Sequence, residues 1–292
     1  MQNLEIEVLE ASKKISELKN EISQKIVWQK DLVDSIIICL LWWGHILLEW
    51  LPGLAKTLTI STVSKCLDLG FSRVQFTPDL LPSDLIWTEI FNVKTSNFDI
   101  KKWPIFSNFV LEEPFLVLAT QNPIEQSGTY KLPEAQLDRF ALKVKVDYPS
   151  FEEEKEVYKN IISWQKVEIK KILSKSDIFQ LQGLVKNIFV SDAIFDYVSR
   201  IVDATRNPEK YWLEKYKKYI SFWVSPRWGL SLLSSAKALA FMEERSFVIP
   251  EDIKKLAIST LAHRLVLSYE AIADEIDEYF LIEKIISKIK IS

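Results

Sequence analysis

Residues 45–49, His-Ile-Leu-Leu-Glu, form a short apolar run that stops at Trp50-Leu-Pro-Gly-Leu-Ala-Lys-Thr57 and passes into a helical pattern over 56–69. An apolar run of this length, bounded by Pro and Gly, reads as a buried strand. A strand that feeds a helix through a tight loop calls for a parallel neighbour, because the helix must carry the chain back across the sheet. Further strands are expected at 72–76, 106–111, 115–120 and 142–146. Short apolar strands alternating with helices indicate a parallel sheet covered on both faces, an α/β fold.

Two helices are expected ahead of this unit. Residues 4–25 are charged and amphipathic, with Leu9, Ile15, Leu18 and Ile22 recurring on one face, and 31–41 reads as a more buried helix. After Tyr148-Pro149 the character changes. Ser150-Phe-Glu-Glu153 is a capping-box start, and helical patterns follow at 177–188, 192–205, 226–244, 251–265 and 281–291. Pro226 and Pro250 stand where a first helical turn tolerates proline. No strand pattern is visible in this half, so an α/β core to about residue 148 is expected to precede an all-helical domain.

The totals exclude some functions. A net charge of -3, from 37 basic and 40 acidic residues mixed along the chain, leaves no basic face for nucleic acid. The longest apolar run, 36–43, is too short to span a bilayer. Cys39 and Cys66, both in apolar helical patterns, read as packed thiols in a reducing cytosol, so a cytoplasmic protein is expected.

The loop after the first strand carries the clearest chemistry. Backbone N–H groups at a helix N-terminus favour anions, a lysine there reaches the β- and γ-phosphates, and a hydroxyl ligates Mg²⁺. Measured against G-x-x-x-x-G-K-[ST], Trp50 holds the first glycine position and Ala55 the second, followed by Lys56 and Thr57. An Ala-Lys-Thr at a helix start is, on its own, more often an ordinary surface lysine.

Three longer segments decide the matter. Residues 71–84 (Phe-Ser-Arg-Val-Gln-Phe-Thr-Pro-Asp-Leu-Leu-Pro-Ser-Asp), 116–140 (containing Ala-Thr-Gln-Asn-Pro-Ile-Glu-Gln-Ser-Gly-Thr-Tyr and ending Gln-Leu-Asp-Arg-Phe) and 225–240 (beginning Ser-Pro-Arg-Trp-Gly-Leu) resemble the MoxR-like branch of the AAA+ ATPases. The resemblance runs from about residue 26 to 267 and implies an AAA+ P-loop αβα core with a parallel sheet over 1–148 and an all-helical lid domain over 149–292. It implies ATP and Mg²⁺ as cofactors, with Trp50, Pro52, Gly53, Leu54, Ala55, Lys56 and Thr57 around the phosphates and Thr57 on the metal. Asn122 would orient the attacking water, Arg139 would reach a neighbouring subunit's γ-phosphate, and Arg227 would touch the phosphates from the lid. A homo-hexamer that remodels or assembles partner proteins together with a von Willebrand factor A-domain protein is implied as well.

Two departures accompany the resemblance. Gly numbers 6 and Trp 10, whereas an average composition would give roughly twenty glycines. Trp28, Trp43, Trp50, Trp87, Trp103, Trp212 and Trp223 stand where the family usually has glycine. We read them as glycine codons, UGA, translated as tryptophan; at Trp50 an indole is expected to fill the space that the phosphates need. The second departure follows residue 111. There the family continues with Asp-Glu-Ile-Asn-Arg, a helix and a β-hairpin, whereas this chain runs directly into Glu112-Glu-Pro-Phe115. The acidic pair that would hold Mg²⁺ and polarise water is missing with that segment. Loss of that pair opens a rival reading, a binding module that does not hydrolyse ATP.

Overall fold

The computed structural model describes residues 2–26, 28–50, 56–71, 88–92, 97–101, 113–121, 134–162, 168–222 and 225–291. In chain order the elements are α1 (Gln2–Ser23), α2 (Lys30–Leu41), β1 (Ile46–Trp50), α3 (Lys56–Cys66), β2 (Thr88–Asn92), β3 (Asn97–Lys101), β4 (Leu118–Gln121), α4 (Glu134–Leu137) and β5 (Leu142–Val146). The second half holds α5 (Phe151–Ile162), α6 (Lys175–Lys186), α7 (Asp192–Arg206), β6 (Ile220–Phe222), α8 (Pro226–Met242), α9 (Pro250–Leu261), β7 (Val266–Leu267), α10 (Tyr269–Ala273) and α11 (Glu278–Lys288).

Ile46, Leu47 and Leu48 are all buried, as a strand covered on both faces requires. β1 lies between β4 and β5 and pairs parallel with both, Ile46 opposite Leu118 on one side and Leu142 on the other. The strand expected at 115–120 is therefore shorter and later than its apolar pattern implied, and the one at 142–146 matches. The strands expected at 72–76 and 106–111 lie outside the described residues. Gly44, just before β1, is required by close approach: a Cβ there would come within 2.9 Å of the Ala141 Cβ.

Two expectations are overturned. Leu9 is exposed; Ile15, Leu18 and Ile22 of the expected seam are buried, and Val8 and Ser12, rather than Leu9, complete the buried face of α1. The second half is also not free of strands, because β6 and β7 pair antiparallel, Ile220 opposite Leu267. Two and three residues are too few to show alternation, so the signal was absent from the pattern. The antiparallel pair β2–β3 was likewise unanticipated; Phe91 stands opposite Phe98.

The helix starts follow their caps. The Glu153 carboxylate accepts the Ser150 N–H at 2.8 Å, as the capping box predicted. Ser174 and Asp177 form a reciprocal box at α6, and Asp277 accepts the Phe280 N–H at the start of α11. Asp252, buried at the start of α9, accepts the Ile249 N–H and a two-point ion pair from Arg245 at 2.6 and 2.9 Å. One contiguous core joins β1 and β5 to α1, α2 and the helices from α6 to α9. Across it, the buried Gln182 side chain of α6 donates to the Leu40 carbonyl at 2.7 Å, and Glu21 of α1 accepts the Lys170 N–H at 2.7 Å.

Candidate functional site

Because β1 and β4 run parallel with Glu49 beside Gln121, their C-terminal ends open on the same edge of the sheet. Ligands of open parallel sheets bind in the crevice beyond such strand ends. α3 begins at Lys56, six positions past the end of β1, and the N-terminus of a helix favours anions. Asn122 follows β4 by one residue. Asn122, Leu51, Pro52, Gly53, Leu54 and Ala55 lie outside the described residues, and Lys56 is described in its backbone alone. Thr57 is exposed in the first turn of α3. The indole of Trp50, expected to fill the phosphate space, is instead wholly buried in the core.

The remaining two predicted residues are brought close by a residue that the sequence reading passed over. Asp138 precedes Arg139 in the turn after α4 and gathers three donors. Arg264 places Nε on Oδ1 at 2.8 Å, Arg227 reaches Oδ2 at 3.3 Å, and Ser225 donates to the same oxygen at 3.3 Å. Arg227 opens α8, where Ser225 is the N-cap and Pro226 the first residue, and its side chain is largely exposed. Arg139 is exposed, with no ion-pair partner among the described residues.

Arg264 is the hub beneath this cluster. Its side chain is 3% exposed and also donates to the carbonyls of Thr260 and Phe140, both at 2.7 Å, and of Asp138 at 3.1 Å. Burial draws its guanidinium below the ordinary value, and the Asp138 carboxylate opposes that. Next to it, His263 bonds through Nε2 to the Phe140 carbonyl at 2.9 Å; burial first, and then the Arg264 charge, lower its pKa to about 3. The segment 138–140 is thus held to the turn that follows α9 through both side chains. A sequence signal for Arg264 existed: a charge inside the apolar run Leu-Ala-His-Arg-Leu is a buried charge in need of a partner.

A second ion-pair group ties the β1 end to the last helix. Lys143 on β5, nearly buried, reaches Glu49 at 3.0 Å and Glu278 of α11 at 3.3 Å. Tyr279 is pushed well above its ordinary pKa by burial and by the Glu49 charge. Both cysteines are buried free thiols, Cys66 raised to about 11 by burial, so neither is a nucleophile. No group of three or more His, Cys, Asp or Glu able to hold a metal occurs among the described residues. No helix among them is long and apolar enough to cross a membrane.

A strand–loop–helix ending at an anion-favouring helix start fits the phosphates of a nucleotide. Mg²⁺ fits less completely, since the Thr57 hydroxyl is the protein ligand that the sequence supplies and the acidic pair is missing.

Comparison with known proteins agrees with this reading. The family model described as "ATPase family associated with various cellular activities" matches in two pieces, residues 45–113 and 109–142, and the AAA lid domain matches residues 216–285. The two pieces meet at the junction where the acidic segment is absent. The chain is 39% identical to the chaperone MoxR1 of Mycobacterium tuberculosis over 303 residues, covering 92% of this chain and 80% of that one. It is 35% identical to the YeaC protein of Bacillus subtilis, covering 92% of both chains. The crystal structure of a "putative ATPase" from Cytophaga hutchinsonii superposes with a TM-score of 0.89 at 39% identity, over 100% of this chain and 98% of that one. On its strand order, its lid and these matches, the chain belongs to the MoxR-like family of AAA+ ATPases.

Proposed function

We propose that this chain binds ATP with Mg²⁺ between the α3 N-terminus and the lid, hydrolyses it as a cytoplasmic homo-hexamer, and uses the cycle to remodel partner proteins. The observation that carries the reading is the parallel register of β1 and β4. It brings the C-terminal ends of β1 and β4 to one edge, which supports assigning the Lys56 helix start and Asn122, next in sequence after those strands, to one site, while Asp138 links the segment bearing Arg139 to Arg227 at the head of α8. Lys56 and the first-turn N–H groups hold the phosphates, with Pro52, Gly53, Leu54 and Ala55 lining the loop and the Thr57 hydroxyl on the metal. Asn122 orients the attacking water. Arg227 meets the phosphates from the lid, and Arg139, exposed as a residue serving another subunit must be, reaches across to the neighbour's γ-phosphate. Bound Mg²⁺ supplies charge neutralisation of the β- and γ-oxygens. A protein with a von Willebrand factor A domain is the partner class that the family resemblance favours.

The experiment is binding of a fluorescent ATP analogue to the purified chain, to Lys56→Ala and to Arg227→Ala, with turnover measured in Mg²⁺. Binding by the parent that weakens at least tenfold in Lys56→Ala supports the site; equal binding by both refutes it. The rival reading, a nucleotide-binding module without hydrolysis, stands on the acidic pair missing at the junction where the two pieces of the family match meet. Binding without turnover selects that reading.

A further inference from the structure

Five residues other than glycine take the left-handed backbone region among the described residues: Trp43 (φ 62), Asp68 (φ 51), Trp212 (φ 55), Glu244 (φ 61) and Glu275 (φ 53). Each closes a helical segment in the same way. The following N–H reaches back five residues to a carbonyl: Gly44 to Cys39 at 2.8 Å, Leu69 to Ser64 at 3.2 Å, Leu213 to Pro208 at 3.0 Å, Arg245 to Ala240 at 2.8 Å and Ile276 to Ala271 at 2.8 Å. This closure requires a left-handed residue just past the helix, and glycine takes that conformation without a Cβ penalty. Asp68, Glu244 and Glu275 are polar and exposed. Trp43 and Trp212 carry the bulkiest side chain there is, and they are 46% and 85% exposed, so packing returns little for the strained backbone.

A third tryptophan points the same way from inside. Trp50 is wholly buried and its indole N–H has no partner among the described residues. An orphaned buried donor is a cost that native cores avoid. Trp228, equally buried, satisfies that rule by donating to Thr260 Oγ1 at 2.9 Å, so the core can house an indole properly where one belongs. Position 50 is also the first glycine of the phosphate-loop pattern.

We infer that positions 43, 50 and 212 are glycine sites, and that the working protein carries glycine at all three through UGA codons read as glycine. The assignment at 50 rests in part on the nucleotide-site reading; those at 43 and 212 rest on helix closure alone.

Mass spectrometry of peptides spanning 43, 50 and 212, from protein made in its own cells, is expected to show glycine at each. Tryptophan at any of the three overturns the assignment there. In recombinant protein, Trp43→Gly and Trp212→Gly are each expected to raise the melting temperature by about 2–4 °C, the relief of one left-handed residue in a chain of this size. Trp228→Gly, the contrast, lowers it. A fall in melting temperature for Trp43→Gly or Trp212→Gly overturns the inference. None of these readouts needs nucleotide, so a failure of the ATP reading leaves them standing.

Discussion

Replacing Arg264 by methionine keeps most of the side-chain volume and removes the guanidinium that joins α9 to the 138–140 turn. The backbone carbonyls of Thr260, Asp138 and Ala141 then lose the guanidinium donor, that of Phe140 keeps only His263, and the Asp138 carboxylate keeps Ser225 and the exposed Arg227 at 3.3 Å. Breaking a buried ion pair by removing one partner costs about 3–5 kcal/mol. The Asp138 side chain is 23% exposed, so water relieves part of the loss and the lower end, about 3 kcal/mol, is expected. For a chain of this size that is a fall in melting temperature of roughly 6–12 °C. Thermal and urea unfolding of Arg264→Met, Asp138→Asn and the double variant measure it. Because the two side chains share one bond network, the double variant should cost at least about 1 kcal/mol less than the two singles together. Arg227→Met, which breaks an exposed pair, should cost under about 1 kcal/mol. A drop below about 2 °C for Arg264→Met, or additivity within about 0.5 kcal/mol, would falsify the role given to this hub.

Two further outcomes follow from the same geometry. His263 is held neutral by burial, its pKa moved from 6.5 to about 3, so on acidification the unfolded chain takes up a proton that the native state refuses. Stability is full above pH 6.5 and falls as the pH drops toward 3, by about 1.4 kcal/mol per unit, or roughly 2 kcal/mol by pH 5. His263→Gln keeps a donor for the Phe140 carbonyl and should lose correspondingly less between pH 7 and pH 5 in urea titrations; equal losses would contradict the assignment. Lys143→Met leaves Glu49 and Glu278 facing each other without their cation, and about 1–3 kcal/mol should be lost, with faster amide exchange over 278–288. Unchanged exchange there would show that α11 is held by packing alone.

The helices were legible because their signals are local. Ser150 and Glu153, Pro226 and Pro250 state where a helix begins whatever surrounds it, and the seam of Ile15, Leu18 and Ile22 on α1 states which face is buried. The parallel sheet was legible because 46–48 are apolar without alternation, which a strand open to water on one face does not show. The candidate site residues were proposed through their motifs, and it is the family resemblance that suggests one chemistry for Lys56, Asn122, Arg139 and Arg227.

Tertiary structure decided what has no local signal. Leu9 and Val8 are equally apolar neighbours, and the packing partners of α1 chose Val8 for the core. β6 and β7 are too short to carry a period, and they exist because each completes the other's hydrogen bonds. The tryptophans were suspect by their number and by standing where the family usually has glycine; the backbone added a physical ground by putting Trp43 and Trp212 in the left-handed region, and the core by leaving the Trp50 N–H without a partner among the described residues. Asp138 and Arg264 are 126 residues apart, and only the folded chain makes them one group. A motif names the residues that chemistry requires, because their types and spacing are written along the chain. The partners that hold them are chosen by burial, since a charge removed from water must find its counterpart wherever the fold has brought one.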